Sequence, residues 1–141
     1  MASSKRETIL QALVDLIQAV GVTVYRSPQQ AIERTAENVN ACVIDWSDES
    51  AEPLTYDADE CLLLVGVSMM SRAVTDAELM ADELMVDAHA LIMADRTLGG
   101  LSQNLMRQGA SRGGDDAELE TVVIKQNYVI EYRHNSADLT T

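Results

Sequence analysis

His89 and His134 are the only histidines in a chain of 141 residues, so acid–base or metal chemistry would have to be built around them or from carboxylates alone. His89 follows Asp82 by seven residues, a spacing that places both on one face of a helix, and Asp87 stands close by. Asp82, Asp87 and His89 are thus the residue types of a small metal-dependent enzyme, provided that a further ligand arrives from elsewhere. A solvated helix face is the stronger reading, because neither an EF-hand loop nor an HExxH pattern fixes geometry around Asp82, Glu83 and Asp87. Gly99-Gly100 and Gly113-Gly114 lack the GxGxxG or GxxxxGK[ST] setting that converges backbone amides on a phosphate, and they read as turns and loops. Cys42 and Cys61 sit in apolar runs without CxxC spacing, as buried thiols do. Nucleophilic catalysis would need a nucleophile with a nearby base, and with only His89 and His134 the candidates are few. The expectation is a non-enzyme with no cofactor, no metal and no catalytic residues.

The overall charge favours protein partners. The 23 acidic residues outnumber the 10 basic ones, for a formal net charge of −13, which repels phosphate backbones and anionic lipid surfaces. Between Asp48 and Asp87 the acids are opposed only by Arg72, so one strongly anionic surface region is expected. The 47% hydrophobic content is that of a folding domain. With no Phe and a single Trp46, the core must come from aliphatic residues, Ala and seven Met. No signal-peptide core follows the polar start, and the apolar run Cys61 to Val67 is too short to span a bilayer. A single domain over residues 1–141, made in the cytoplasm and without a membrane partner, is expected.

The elements that position these residues follow from periodicity. Ser4 and Glu7 form a capping box, and Ile9, Leu10, Leu13, Leu16, Ile17 and Val20 recur at helical spacing, predicting a helix over 4–20. Val22 to Tyr25 reads as a short strand ended by Ser27-Pro28, and Gln29 to Asn40 as a loop with a helical turn. Ala41 to Trp46 predicts a strand running into an exposed acidic connection over 47–59 that contains Pro53. Cys61 to Met70 is apolar at nearly every position, which implies a strand covered on both faces, one by a helix and the other by a second surface. Thr75 and Glu78 form a second capping box, opening a helix to about Asp95 with an acidic outer face. Residues 96–101 are turn chemistry, 102–111 a weakly signalled strand, and 107–116 a flexible glycine-containing stretch. Val122, Ile124, Tyr128, Ile130 and Tyr132 alternate with polar residues as a half-buried strand does, and a frayed tail is expected from about 135 to 141. The order predicts an α+β fold, an antiparallel or mixed sheet of about five strands with two main helices on one face.

Contact residues are the remaining candidates. Trp46 and Tyr56 flank the acidic connection as aromatic anchors, with Asp48, Glu49, Glu52 and Asp57 between or beside them; equally, Trp46 closes one end of a core that has no Phe. Arg107 and Arg112 are the cations available to pair with acids on a neighbouring subunit.

The layout resembles the tail-terminator (tail completion) proteins of long-tailed bacteriophages. The resemblance covers most of the chain and is carried by the opening Lys5-Arg6-Glu7-Thr8-Ile9-Leu10-Gln11-Ala12-Leu13, by Leu91-Ile92-Met93-Ala94-Asp95-Arg96-Thr97-Leu98-Gly99-Gly100-Leu101 at the end of the long helix, and by Tyr128-Val129-Ile130-Glu131-Tyr132 in the last strand. It implies a hexameric ring that caps the tail tube, stops its polymerisation and offers a head-joining surface. The implied partners are copies of itself, the tail-tube protein, the head-tail connector and DNA passing through the lumen without tight binding. The implied location is the host cytoplasm during assembly and then the virion tail. A head-tail connector or neck protein is the alternative within this class, and the metal-dependent enzyme the alternative outside it.

Overall fold

A computed structural model of the chain describes residues 3–26, 40–73, 76–115 and 120–141. Its elements are helix α1 (Lys5–Gln18), strands β1 (Thr23–Tyr25), β2 (Asn40–Thr55) and β3 (Ala58–Ala73), helix α2 (Ala77–Ala94), and strands β4 (Asn104–Asp115) and β5 (Glu120–Asn135). The strands form one five-stranded sheet in the order β1-β2-β3-β5-β4. β1 pairs with β2 in parallel and every other neighbour is antiparallel. The fold is therefore the expected α+β arrangement with a mixed sheet.

Helix α1 begins where its sequence says it should. Ser4 Oγ accepts the Glu7 amide at 3.2 Å, which satisfies one of the first-turn donors. The Glu7 carboxylate turns to Arg26, accepting from Nη1 at 3.0 Å and Nη2 at 3.2 Å, and this bond, opposed by some desolvation, holds it below the usual carboxylate range. Ile9, Leu10, Leu13, Val14 and Ile17 are buried, each contributing about 1.5–3 kcal/mol as an upper estimate. Helix α2 buries Ala77, Ala81, Met85, Ala88 and Ile92. The alanines let it lie close to a sheet whose facing residues include the buried Leu63, Val65, Val67, Tyr128 and Ile130. Its N-cap is Asp76 in the left-handed region (φ 64°), with no side-chain capping bond; the expected cap Thr75 lies outside the described residues, as does the expected loop and helical turn up to residue 39.

After α2, Asp95 organises the turn. Its carboxylate accepts from Thr97 Oγ1 at 2.8 Å and from the amides of Gly99 at 2.9 Å and Thr97 at 3.2 Å. Leu98, Gly99 and Gly100 follow with φ of 50°, 71° and 94°. The two glycines take this backbone without steric cost, while Leu98 bears it and places its buried side chain in the core.

Three expectations differ from what is observed. Residues 47–59 are no irregular connection but a regular hairpin, β2 and β3 pairing out to Thr55 and Ala58 with register shifts at Trp46/Asp48 and Pro53/Thr55. Pro53 is tolerated because, among the described residues, no strand pairs with the outer side of β2 there. Residues 107–115, expected as a flexible stretch, belong to β4, paired along β5. The last residues, expected to fray, form turns: the Asn135 amide donates to the Thr141 carbonyl at 2.8 Å, and the Leu139 carbonyl accepts the Lys5 amide at 2.7 Å.

Candidate assembly interface

The register gives the sheet two unlike faces. Cys61, Leu63, Val65, Val67 and Met69 of β3 lie under the helices and are buried. The opposite face carries Leu62 and Leu64 of β3, Val129 of β5 and Met106 of β4: Leu62 is 40% exposed and Met106 40%, while Leu64 and Val129 are half-buried. Because Leu64 pairs with Val129 and Val129 with Met106, these apolar side chains form a row across the open face. Among the described residues both helices lie on one side of the sheet, and on the other side Ala41 and Val43 are buried with Tyr25 and Met70 packed against them, so the second covering expected for Cys61 to Met70 is seen only at its Met70 end. Beside the row lies a depression of 220 Å³ lined by Ser50, Glu52, Glu60, Leu62 and Glu131.

Beyond Glu49 the β2 half of the β2–β3 hairpin is exposed, while β3 stays paired with β5 out to Ala58 and keeps Cys61 in the core. Every residue from Ser50 to Asp57 is exposed, an arm of roughly 20 Å at the rise of a strand. Glu52 lies along it. Tyr56, 97% exposed, and Asp57 form its tip; Asp57 Oδ1 accepts from Thr55 Oγ1 at 2.6 Å and its carbonyl from the Ser136 amide at 3.0 Å. The acidic run of 48–87 does not make one surface. Its first half follows the arm, and its second half (Asp76, Glu78, Asp82, Glu83 and Asp87) lies on the exposed side of α2.

At the root of the arm sits a polar cluster that periodicity could not show. Arg6 Nη1 donates to Glu49 Oε2 at 3.1 Å, and the Arg6 guanidinium lies 4.2 Å over the Trp46 ring. The Tyr132 hydroxyl donates to Glu49 Oε1. Burial and this adjacent carboxylate push the Tyr132 phenol well above its ordinary range. The sequence offers Glu49 and Trp46 as contact residues, yet the Glu49 carboxylate is held inside the chain as a clasp joining α1, β2 and β5. Its side chain is 18% exposed, so its loss should cost more than a surface pair: Glu49→Ala is expected to lower stability by about 1–3 kcal/mol, read as a shift in the urea midpoint with unchanged slope. Asp48 is exposed on the open face, its Oδ1 accepting the Glu49 amide at 3.0 Å.

The two arginines lie on β4, at the opposite edge of the sheet. Arg107 Nε donates to Gln126 Oε1 at 2.6 Å. Arg112, expected to meet a neighbour's acid, pairs with Glu78 of its own chain at 3.0 Å; both side chains are more than half exposed, which limits this pair to the small contribution of a surface ion pair.

His89 is not free for metal chemistry on an outer face. Its Nδ1 lies 2.8 Å from the Tyr128 hydroxyl, with the rings stacked at 5.9 Å, so it packs toward the sheet while Asp82 is exposed at a depression of 510 Å³ lined also by Asp76, Glu78, Leu79 and Ile124. Among the described residues, no three His, Cys, Asp or Glu side chains converge as metal ligands do, and no helix is long and apolar enough to cross a membrane. No family model and no curated protein matches the sequence.

Proposed function

We propose that the chain is the subunit of a tail-terminator-like ring that caps a phage tail tube, stops its polymerisation and provides the surface on which the head joins. The observation that carries this reading is a sheet whose two described helices lie on one side, while its other side presents the apolar row of Leu62, Leu64, Val129 and Met106 next to the exposed end of β2. Contiguous apolar surface bordered by polar residues is characteristic of contact sites between proteins, and the exposed outer strand from Ser50 to Asp57 is placed to meet a partner at the end of the sheet. The sequence resemblance to tail terminators supplies the partners: other copies of the chain, the tail-tube protein and the head-tail connector. Subunits assemble in the host cytoplasm and remain in the virion tail. A ring of such acidic chains repels DNA phosphates, so the genome passes without sticking.

Electron microscopy of the purified protein mixed with tail tubes tests this directly. Closed rings at one end of each tube are expected, together with tails of uncontrolled length when the gene is deleted. Protein that remains monomeric over a wide concentration range and forms no ring with tubes would sink the reading. Tails of normal length that fail to join heads would move the assignment to a neck connector.

A further inference from the structure

The tip of the β2–β3 hairpin presents apolar side chains to solvent from a braced backbone. Tyr56 is 97% exposed and Leu54 44%. Leu54 is the residue skipped by the register shift between Pro53 and Thr55, and a bulge of this kind re-aims a side chain out of the ladder. The terminal turns, hydrogen-bonded to the tip, add Leu139, which is 61% exposed. Thr55 Oγ1 donates to Asp57 Oδ1 at 2.6 Å, the Ser136 amide to the Asp57 carbonyl at 3.0 Å and Ser136 Oγ to Asp59 Oδ1 at 3.1 Å. An aromatic on a backbone held in this way gives up little conformational freedom when a partner buries it.

The same stretches carry the exposed acids Glu52, Asp57 and Asp138. Glu52 lies directly opposite Glu60, a like-charge pair that destabilises a sheet. Neither carboxylate has a hydrogen bond or ion pair among the described residues, although the ladder sets the exposed Arg133 beside Glu60. A basic surface docked against the hairpin would relieve this opposition, which the isolated chain leaves standing.

We propose that this tip is the contact site for a different, basic protein, whose surface offers an apolar pocket to the Tyr56 ring and cations at its rim to Glu52 and Glu60. The inference rests on the reading above for the partner's identity, the tail-tube protein, and on the hairpin for its chemistry. An apolar centre inside a charged rim is the usual anatomy of such a contact, with Tyr among its favoured anchors. A second copy of the chain does not offer the complement. Its depressions of 510 and 410 Å³ carry Asp76, Glu78 and Asp82 in one and Glu7 and Asp15 in the other, and these repel an acidic tip.

Co-sedimentation of the full-length protein with purified tail tubes tests the site. Tyr56→Ala is expected to weaken tube binding about thirtyfold or more, the loss of an aromatic hot spot. Because the ring is exposed, the thermal melt and the self-association of the free protein are expected to stay as in the wild type. Glu60→Gln removes the like-charge opposition, so it is expected to keep or raise the melting temperature while slowing association with tubes and flattening its salt dependence. Tube binding by both variants equal to that of the wild type overturns the tip assignment and leaves the ring reading standing. Self-association lost with Tyr56→Ala overturns it in favour of a second copy at the tip. A wild-type protein that neither forms rings nor binds tubes overturns both.

Discussion

Tyr128→Ala is expected to lower stability by about 3–5 kcal/mol, the range for removing a large aromatic side chain from a packed core. Tyr128 is 1% exposed, sits on β5 beneath α2, and is both stacked on and hydrogen-bonded to His89. Truncation therefore opens a cavity between sheet and helix and leaves the His89 Nδ1 without its partner. Tyr128→Phe keeps the volume and removes only the hydroxyl, so about 1 kcal/mol is expected. Equilibrium urea denaturation of the two variants separates packing from the hydrogen bond. Equal losses would mean that the hydroxyl, not the ring, holds α2 in place.

Alkaline conditions should have the second large effect. Burial pushes the Cys42 thiol from 9.0 up to about 12, and burial likewise moves the Tyr128 phenol from 10.0 up to about 12; Tyr132 is shifted in the same direction. A group whose pKa is raised by folding keeps its proton in the native chain while the unfolded chain loses it. Stability is therefore whole below about pH 9 and declines as the pH rises toward 12. At pH 11, Cys42 and Tyr128 together account for about 4 kcal/mol of the loss, most of it from the thiol. Cys42→Ala should flatten the decline between pH 9 and 11 in thermal melts. An unchanged pH profile in that variant would show that the thiol is not protected by the fold.

The sequence revealed elements in proportion to how regularly they bury apolar residues. Helix α1 carries five buried side chains and a Ser4 cap, and β5 alternates in and out along the half-covered sheet, so both were legible. The arm was not, because Ser50 to Asp57 is exposed on both faces and a strand that buries nothing has no period-two signal; its acids and Pro53 imitate a loop. Strand β4 was blurred by Gly109, Gly113 and the register shift between Arg107 and Gly109, which interrupt alternation. The candidate residues were found by type, but not their grouping. Arg6, Glu49 and Tyr132 come from three separate elements, and nothing local to any of them announces the clasp. Arg112 shows the converse, since a charge available to a neighbour also meets Glu78 within its own chain.

The pairing of β3 with β5 also bears on how the chain folds in time. β2–β3 and β4–β5 join strands that follow one another in the sequence, so each can close early. The seam between β3 and β5 spans the whole of α2 and must wait for both. Closure of that seam is the expected slow step, on the order of milliseconds to seconds as in other sheets dominated by distant pairings. Substitutions at Leu63 or Ile130, which meet across it, should slow refolding, whereas those at the tip of the arm should leave the refolding rate unchanged. Until the seam shuts, the apolar strands of both hairpins are open to other chains, so the yield of soluble protein should fall with concentration during refolding.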